Sequence, residues 1–159
     1  MSLYIVEELR DQFQRQRAAI RDVLASVPED QWKAGSTPPL VPARLLYHIL
    51  SGTEVYARST SYEAYLLERR FPEDWQLMQA DALPDRSTSL ACVDVMEKQT
   101  VRWLNELADE GLLSSDEGFP WTGSSKLGRA LYLLRHTQNH IGELNSELRR
   151  RGLARGKWR

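Results

Sequence analysis

Cysteine and histidine are both scarce in this sequence. Among its 159 residues there are three histidines and a single cysteine, Cys92. One cysteine excludes an internal disulfide, a cysteine-rich zinc module and an iron–sulfur cluster. No histidine or basic residue stands near Cys92 in the sequence to activate its thiol. We therefore predict that Cys92 is a small, buried or half-buried hydrophobic side chain.

The sequence also lacks a dominant charge and a long hydrophobic run. Lys and Arg total 21 and Asp and Glu total 22, so the formal net charge is −1. A near-neutral chain has no overall field that attracts nucleic acid or an acidic membrane surface, so we expect neither as a partner. Charges begin at Glu7, and no apolar run approaches the length of a membrane span. This pattern predicts no signal peptide, no transmembrane segment and a cytoplasmic location.

Apolar residues recur with a helical period in four segments, and no segment alternates like a strand. The predicted helices span about residues 3–27, 42–70, 87–110 and 125–151. Pro28 ends the first helix, and Pro42 suits the first position of the second. Helix formers are few around residues 59–61, where we expect the second helix to bend or break. Gly111 and Gly152 are expected to end the third and fourth helices. One all-α domain, a four-helix bundle over residues 1–159, accounts for this pattern.

Two segments that connect or follow the predicted helices bear on this organisation. The connection at 71–86 has no clear period and is long enough for an overhand crossover that would make helices two and three parallel, although a short extra helix could use the same residues. The segment 149–159 holds six basic residues and no acidic one. Cations are favoured at a helix C-terminus. We therefore interpret it as a solvated basic tail in preference to a nucleic-acid contact.

All three histidines lie on the apolar stripes of predicted helices. His136 and His140 are four residues apart, so both side chains leave one face of helix four with Cβ atoms about 5–6 Å apart. That face continues the stripe of Leu133 and Leu144. His48 lies on the inner stripe of helix two. Gly52, one turn later, is expected to leave room for a ligand or substrate.

Three imidazoles buried together need a shared partner, because unpaired buried polar groups are costly. A divalent ion supplies one, since two histidines at this spacing reach one ion at about 2.0–2.1 Å. Three protein ligands leave one position open, which is typical of a reactive site. That position can hold a water, whose pKa falls toward about 7 on zinc, or a thiolate. The alternative is a set of core histidines with hydrogen-bonded rings.

Three further residues lie within one turn of a predicted ligand. Arg44 can meet an anionic substrate group, and Tyr132 can donate a hydrogen bond. Glu143 can orient a ligand ring or take a proton. The alternative places Arg44 and Glu143 in solvent and Tyr132 in an interface. Glu54 is expected to face away from the site.

The segments ARLLYHILSGTEVY (43–56), HTQNHIGELNSELRRRG (136–152) and PEDQW after helix one resemble the DinB/YfiT-like superfamily. His48, His136 and His140 match the three-histidine pattern of that superfamily. Glu143 departs from it, because many members have Gln there.

The resemblance implies an up-down-down-up bundle with a long crossover between helices two and three, one divalent ion (zinc or nickel) and a homodimer. It also implies a metal-dependent enzyme acting on a small molecule, either a hydrolase or a transferase or isomerase that uses a low-molecular-weight thiol. A non-catalytic metal-binding or stress-response bundle is the alternative. Apolar residues on helix two beyond one core stripe also favour a homodimer: Val55, Tyr56, Tyr62, Tyr65 and Leu66.

Overall fold

The computed structural model describes residues 4–157 and is all-helical over that range, which confirms the prediction of an all-α fold. The helices are α1 (Tyr4–Ser26), α2 (Pro42–Tyr56), α3 (Tyr62–Glu68), α4 (Arg86–Leu113) and α5 (Lys126–Arg150). Short 3₁₀ turns occupy Glu29–Gln31, Pro38–Leu40 and Ala80–Ala82. No helix between residues 4 and 157 is both long and apolar enough to cross a membrane.

The second predicted helix, over 42–70, is divided into two helices, which confirms the break expected around residues 59–61. α2 ends at Tyr56, and α3 begins after Ser61, whose Oγ accepts a hydrogen bond from the backbone N–H of Ala64 at 3.2 Å. Serine and threonine hydroxyls bond nearby backbone groups and compete with a continuous helix.

The third predicted helix continues through Gly111 to Leu113, so Gly111 does not end it. The helical geometry is broken instead at Ala108, with φ 50° and ψ −177°. The next residue, Asp109, accepts hydrogen bonds from the backbone N–H groups of Ile5 (3.1 Å) and Val6 (2.9 Å). These are first-turn amides of α1 that have no partner within that helix. A contact between distant segments therefore accompanies the kink.

The core lies where α1 and α2 each pack against both α4 and α5. Trp103 is 1% exposed and lies in this core. Trp32, a loop residue, is 2% exposed, and its indole N–H donates to the carbonyl of Pro84 at 2.9 Å. Gln16, a polar residue among the buried apolar side chains of α1, is also buried and donates to the carbonyl of Leu134 at 2.8 Å.

Buried charges attach loops to α5. The carboxylate of Glu147 accepts hydrogen bonds from the backbone N–H of Ser36 at 2.7 Å and from its hydroxyl at 2.9 Å. Arg129 and Asp116 form an ion pair of 2.8 Å in which both side chains are 5% exposed. The loop before α2 and the loop between α4 and α5 are thereby fixed to one helix.

The C-terminal segment corrects the prediction of a solvated tail. α5 ends at Arg150, and Gly152 has a φ of 70°, a conformation that favours glycine. The chain then folds back: Leu153 packs against the core, and the N–H of Gly156 donates to Oδ1 of Asn145 at 2.9 Å. Arg155 and Lys157 are exposed, so solvation holds for these two charges. Arg151 instead donates to the carbonyl of Ala34 at 2.9 Å, and Arg150 pairs with Glu147. Residues 158 and 159 lie outside the described range.

Candidate metal centre

The three histidines meet between α2 and α5, which pack against each other. One ring nitrogen from each of His48, His136 and His140 lies within 4.8 Å of the others. Nε2 of His48 is 3.0 Å from Nε2 of His136. The ring centroid of His140 is 4.6 Å from each of the other two. The three side chains are therefore close enough to hold one metal ion.

Aromatic packing fixes two of the rings. His48 stacks on Trp75 with centroids 4.1 Å apart and an interplanar angle of 24°. His136 lies nearly parallel to Tyr132, at 6.0 Å and 18°. A Cβ on Gly52 would lie 3.0 Å from Cε1 of His136. The room that Gly52 provides is thus taken by the His136 imidazole itself, which corrects the expectation that a ligand or substrate uses it.

A carboxylate holds the third ring. Nδ1 of His140 is 2.7 Å from Oε2 of Glu143, whereas Nδ1 of His48 and of His136 are buried with no hydrogen-bond partner between residues 4 and 157. Metal-binding histidines usually donate their second ring N–H to such a carboxylate, which fixes the tautomer. The carboxylate of Glu143 is placed to accept this hydrogen bond from the ring of His140. The other two rings have no such partner at Nδ1, and aromatic packing and their own Nε2–Nε2 contact of 3.0 Å orient them.

The protonation states suit metal binding. Burial, and then the neighbouring imidazoles, lower the pKa of His48 to about 3. Burial and His140 lower the pKa of His136 to about 4, with Glu143 acting in the opposite direction. Both rings are neutral at pH 7 and offer lone pairs without losing a proton. Zn–N bonds of about 2.0–2.1 Å at tetrahedral angles separate two nitrogens by about 3.4 Å. The distance between the two Nε2 atoms, 3.0 Å, is close to that requirement.

The sequence left two interpretations of Arg44, a contact with an anionic substrate group or a position in solvent, and the structure fits neither. It is 4% exposed. Its guanidinium donates to the carbonyls of Pro38 (2.9 Å), Met78 (2.6 Å) and Trp75. These bonds fix the segment between α3 and α4 against α2. Arg44 therefore acts on the site indirectly, because that segment carries the indole that stacks on His48.

A set of aromatic residues continues from His136 toward the surface. Tyr132 lies 5.0 Å from Tyr56, ring to ring, and the phenol oxygen of Tyr56 accepts a hydrogen bond from the indole N–H of Trp121 at 3.1 Å. Burial raises the pKa of Tyr56 to about 12, so its hydroxyl stays protonated. Trp121 is 59% exposed. Trp75 and Trp121 both lie outside the helices, so the sequence alone does not distinguish a pocket aromatic from one that caps the end of the bundle.

Two residues lie apart from the centre. Cys92 is half-buried, as predicted, and burial raises the pKa of its thiol. Glu54 is 3% exposed, and both carboxylate oxygens accept from the backbone N–H of Arg70, at 2.9 and 3.0 Å. Glu54 therefore stabilises the end of α3 and is not a ligand.

Comparisons with known proteins found no relative. No family model matches this chain, and neither does a curated protein or a solved structure. The resemblance to the DinB/YfiT-like superfamily therefore stays a prediction from the motif residues. The geometry of the three histidines is independent support for a metal centre.

Proposed function

We propose that the protein is a metal-dependent enzyme of the DinB-like type that binds one divalent ion through His48, His136 and His140. The observation that carries this proposal is the convergence of three ring nitrogens within 4.8 Å. The fold we propose is the four-helix, up-down-down-up bundle, in which α3 belongs to the crossover. Small-molecule chemistry and a homodimer are parts of the same proposal.

The donor set favours particular ions. Imidazole nitrogen suits zinc, nickel, copper and iron, and among these we propose zinc, with nickel as the alternative. Three neutral ligands leave the charge of the ion uncompensated and one position free. An ion held by these residues would supply Lewis-acid chemistry, lowering the pKa of a water or thiol bound to it. The reaction is accordingly thiol-dependent transfer or isomerisation, or hydrolysis.

The residues of this chain orient and enclose the centre. Glu143 fixes the ring of His140 through the 2.7 Å contact. Trp75 covers one side of His48, which excludes water from that face of the ring. Tyr132 packs along His136. The phenol of Tyr56, which packs against Tyr132, is a neutral hydrogen-bonding group. A substrate with a flat or apolar part fits this aromatic surrounding.

Metal content tests the first half of the proposal. Protein without a histidine tag is purified in the absence of chelators and analysed by mass spectrometry for metals, then dialysed against zinc or nickel. We expect about one ion per chain in the wild type and a loss in His140→Ala. Asn139→Ala is the matched control, because Asn139 is exposed on the same turn of α5. Equal metal content in His140→Ala and the wild type contradicts the site.

Turnover tests the second half. Metal-loaded protein is assayed with a panel of low-molecular-weight thiols and electrophilic acceptors, and with simple esters and amides. We expect turnover that needs the metal and is lost in His140→Ala. Stoichiometric metal without turnover of any substrate would favour the non-catalytic metal-binding bundle instead.

A further inference from the structure

A cleft between α1 and α5 is separate from the histidines. Its volume is about 730 Å³. On α5 it is lined by Leu134, Gln138, Ile141 and Asn145 among others. At about 100° per residue, Asn145 lies about 180° round the helix from His136. The cleft is therefore on the opposite side of α5 from the candidate metal centre.

The floor and the rim of this cleft differ in chemistry. Ala19 and Ile141 are buried at the floor together with the amide of Gln16. The rim carries four exposed cations: Arg15, Arg135, Arg155 and Lys157. No carboxylate is present among the described residues that line the cleft. An apolar floor under a cationic rim is complementary to an anion with an apolar body.

Most of the rim cations are available to a ligand. The side chains of Arg155 and Lys157 have no hydrogen bond or ion pair with any residue from 4 to 157. Arg135 lies over the ring of Tyr132, at 5.3 Å, and forms no ion pair within the described chain. Arg15 alone is neutralised, by Asp11 at 2.7 Å.

A glycine places the two C-terminal cations at the rim. The N–H of Gly156 donates to Asn145, and its Cα packs on Val23 of α1. A Cβ at Gly156 would lie 2.3 Å from Cγ2 and 2.8 Å from the backbone nitrogen of Val23. No larger residue fits without moving the segment. Because the backbone at Gly156 lies directly against α1, the neighbouring residues 155 and 157 are placed over the cleft.

We propose that this cleft binds an amphipathic organic anion, an apolar chain or ring that carries a carboxylate. Small-molecule sites have volumes of about 300–1,000 Å³, and the cleft falls in that range. The apolar body lies on Ala19 and Ile141, and the carboxylate meets the cations at positions 135, 155 and 157. This binding does not depend on the metal or on the proposed enzymatic function.

The test uses a fluorescent anion with an aromatic body, 8-anilinonaphthalene-1-sulfonate, and decanoate as the competitor. Measurements are made on the full chain with a chelator present, so that no ion at the histidines binds the anion. We expect saturable binding at one site that decanoate displaces and neutral 1-decanol displaces much less. Binding that does not saturate, or equal displacement by decanol, overturns the proposal.

Two pairs of variants locate the site. Gly156→Ala displaces the C-terminal segment and should weaken probe binding, whereas Gly142→Ala, with nothing within 4 Å of an added Cβ, should not. The double variant Arg155→Gln/Lys157→Gln should weaken binding at least about threefold, since two exposed charge contacts are lost. Lys98→Gln/Arg102→Gln on α4 is its matched control. Should Gly156→Ala fail to fold, the charge pair decides alone. Equal loss in a control, or loss in His140→Ala, overturns the assignment.

Discussion

Removing one histidine should abolish most of the stability that zinc adds to this protein. An ion that binds only the folded state stabilises it by about 2.7 kcal/mol at a free concentration one hundred times its Kd. For a domain of this size, each kcal/mol raises Tm by about 2–4 °C, so the wild type should gain about 5–11 °C. His140→Ala removes one of three ligands. If affinity falls a hundredfold, the same zinc concentration stabilises the variant by only about 0.4 kcal/mol.

Without metal, the same substitution should have a smaller effect. His140 loses its 2.7 Å contact with Glu143, whose side chain is 43% exposed. A hydrogen bond of this kind contributes about 0.5–1.5 kcal/mol, and the substitution also removes a polar ring from a partly buried position. We therefore expect the metal-free variant to unfold within a few degrees of the wild type. The bundle keeps its apolar core, so the variant should fold.

Thermal unfolding followed by circular dichroism measures all four states, wild type and His140→Ala, each with chelator or with zinc. The proteins carry no histidine tag, and Asn139→Ala serves as the control for a change on the same turn. An equal gain in Tm for the variant and the wild type would refute the reasoning. The ion would then bind elsewhere, and the three imidazoles would be a cluster of core histidines.

Four other changes have expected outcomes. Glu143→Ala should weaken zinc binding about 10–100-fold in competition with a chromophoric chelator, and Glu143→Gln less, because its amide oxygen still accepts a hydrogen bond. Ala108→Gly should raise the urea-derived free energy of unfolding by about 1 kcal/mol, since glycine relieves the positive φ; no change would contradict the strained kink. Asp116→Asn should lower the free energy of unfolding by about 3–5 kcal/mol, because it leaves Arg129 buried and unpaired. A decrease of less than about 1 kcal/mol would contradict this role of the ion pair. Light scattering should give a mass of about twice 18.3 kDa for the wild type. Leu67 is 90% exposed on α3, and Leu67→Glu should shift the measured mass toward that of the monomer if α3 lies in the dimer interface.

The helical periods were readable from the sequence because each depends on residues within one or two turns. The stripe through Val93, Met96 and Trp103 is buried in the structure, and all three are at most 3% exposed. Helix ends set by local chemistry were also predictable: α1 ends before Pro28, and Gly152 takes the positive φ expected after α5. Breaks in a helix that accompany contacts with distant segments were not predictable, and the kink at Ala108 is the example.

The sequence by itself determined the three candidate ligands, since His136 and His140 share a helix face by spacing alone and His48 lies on the inner stripe of its own helix. What surrounds those ligands was decided by the tertiary structure. Trp75 and the carbonyls that Arg44 binds come from a connection without a period, so nothing in the sequence relates them to His48. The cleft likewise depends on two helices and a C-terminal segment meeting. Local spacing fixes which side chains share a face, whereas contacts between distant segments exist only once the helices have packed.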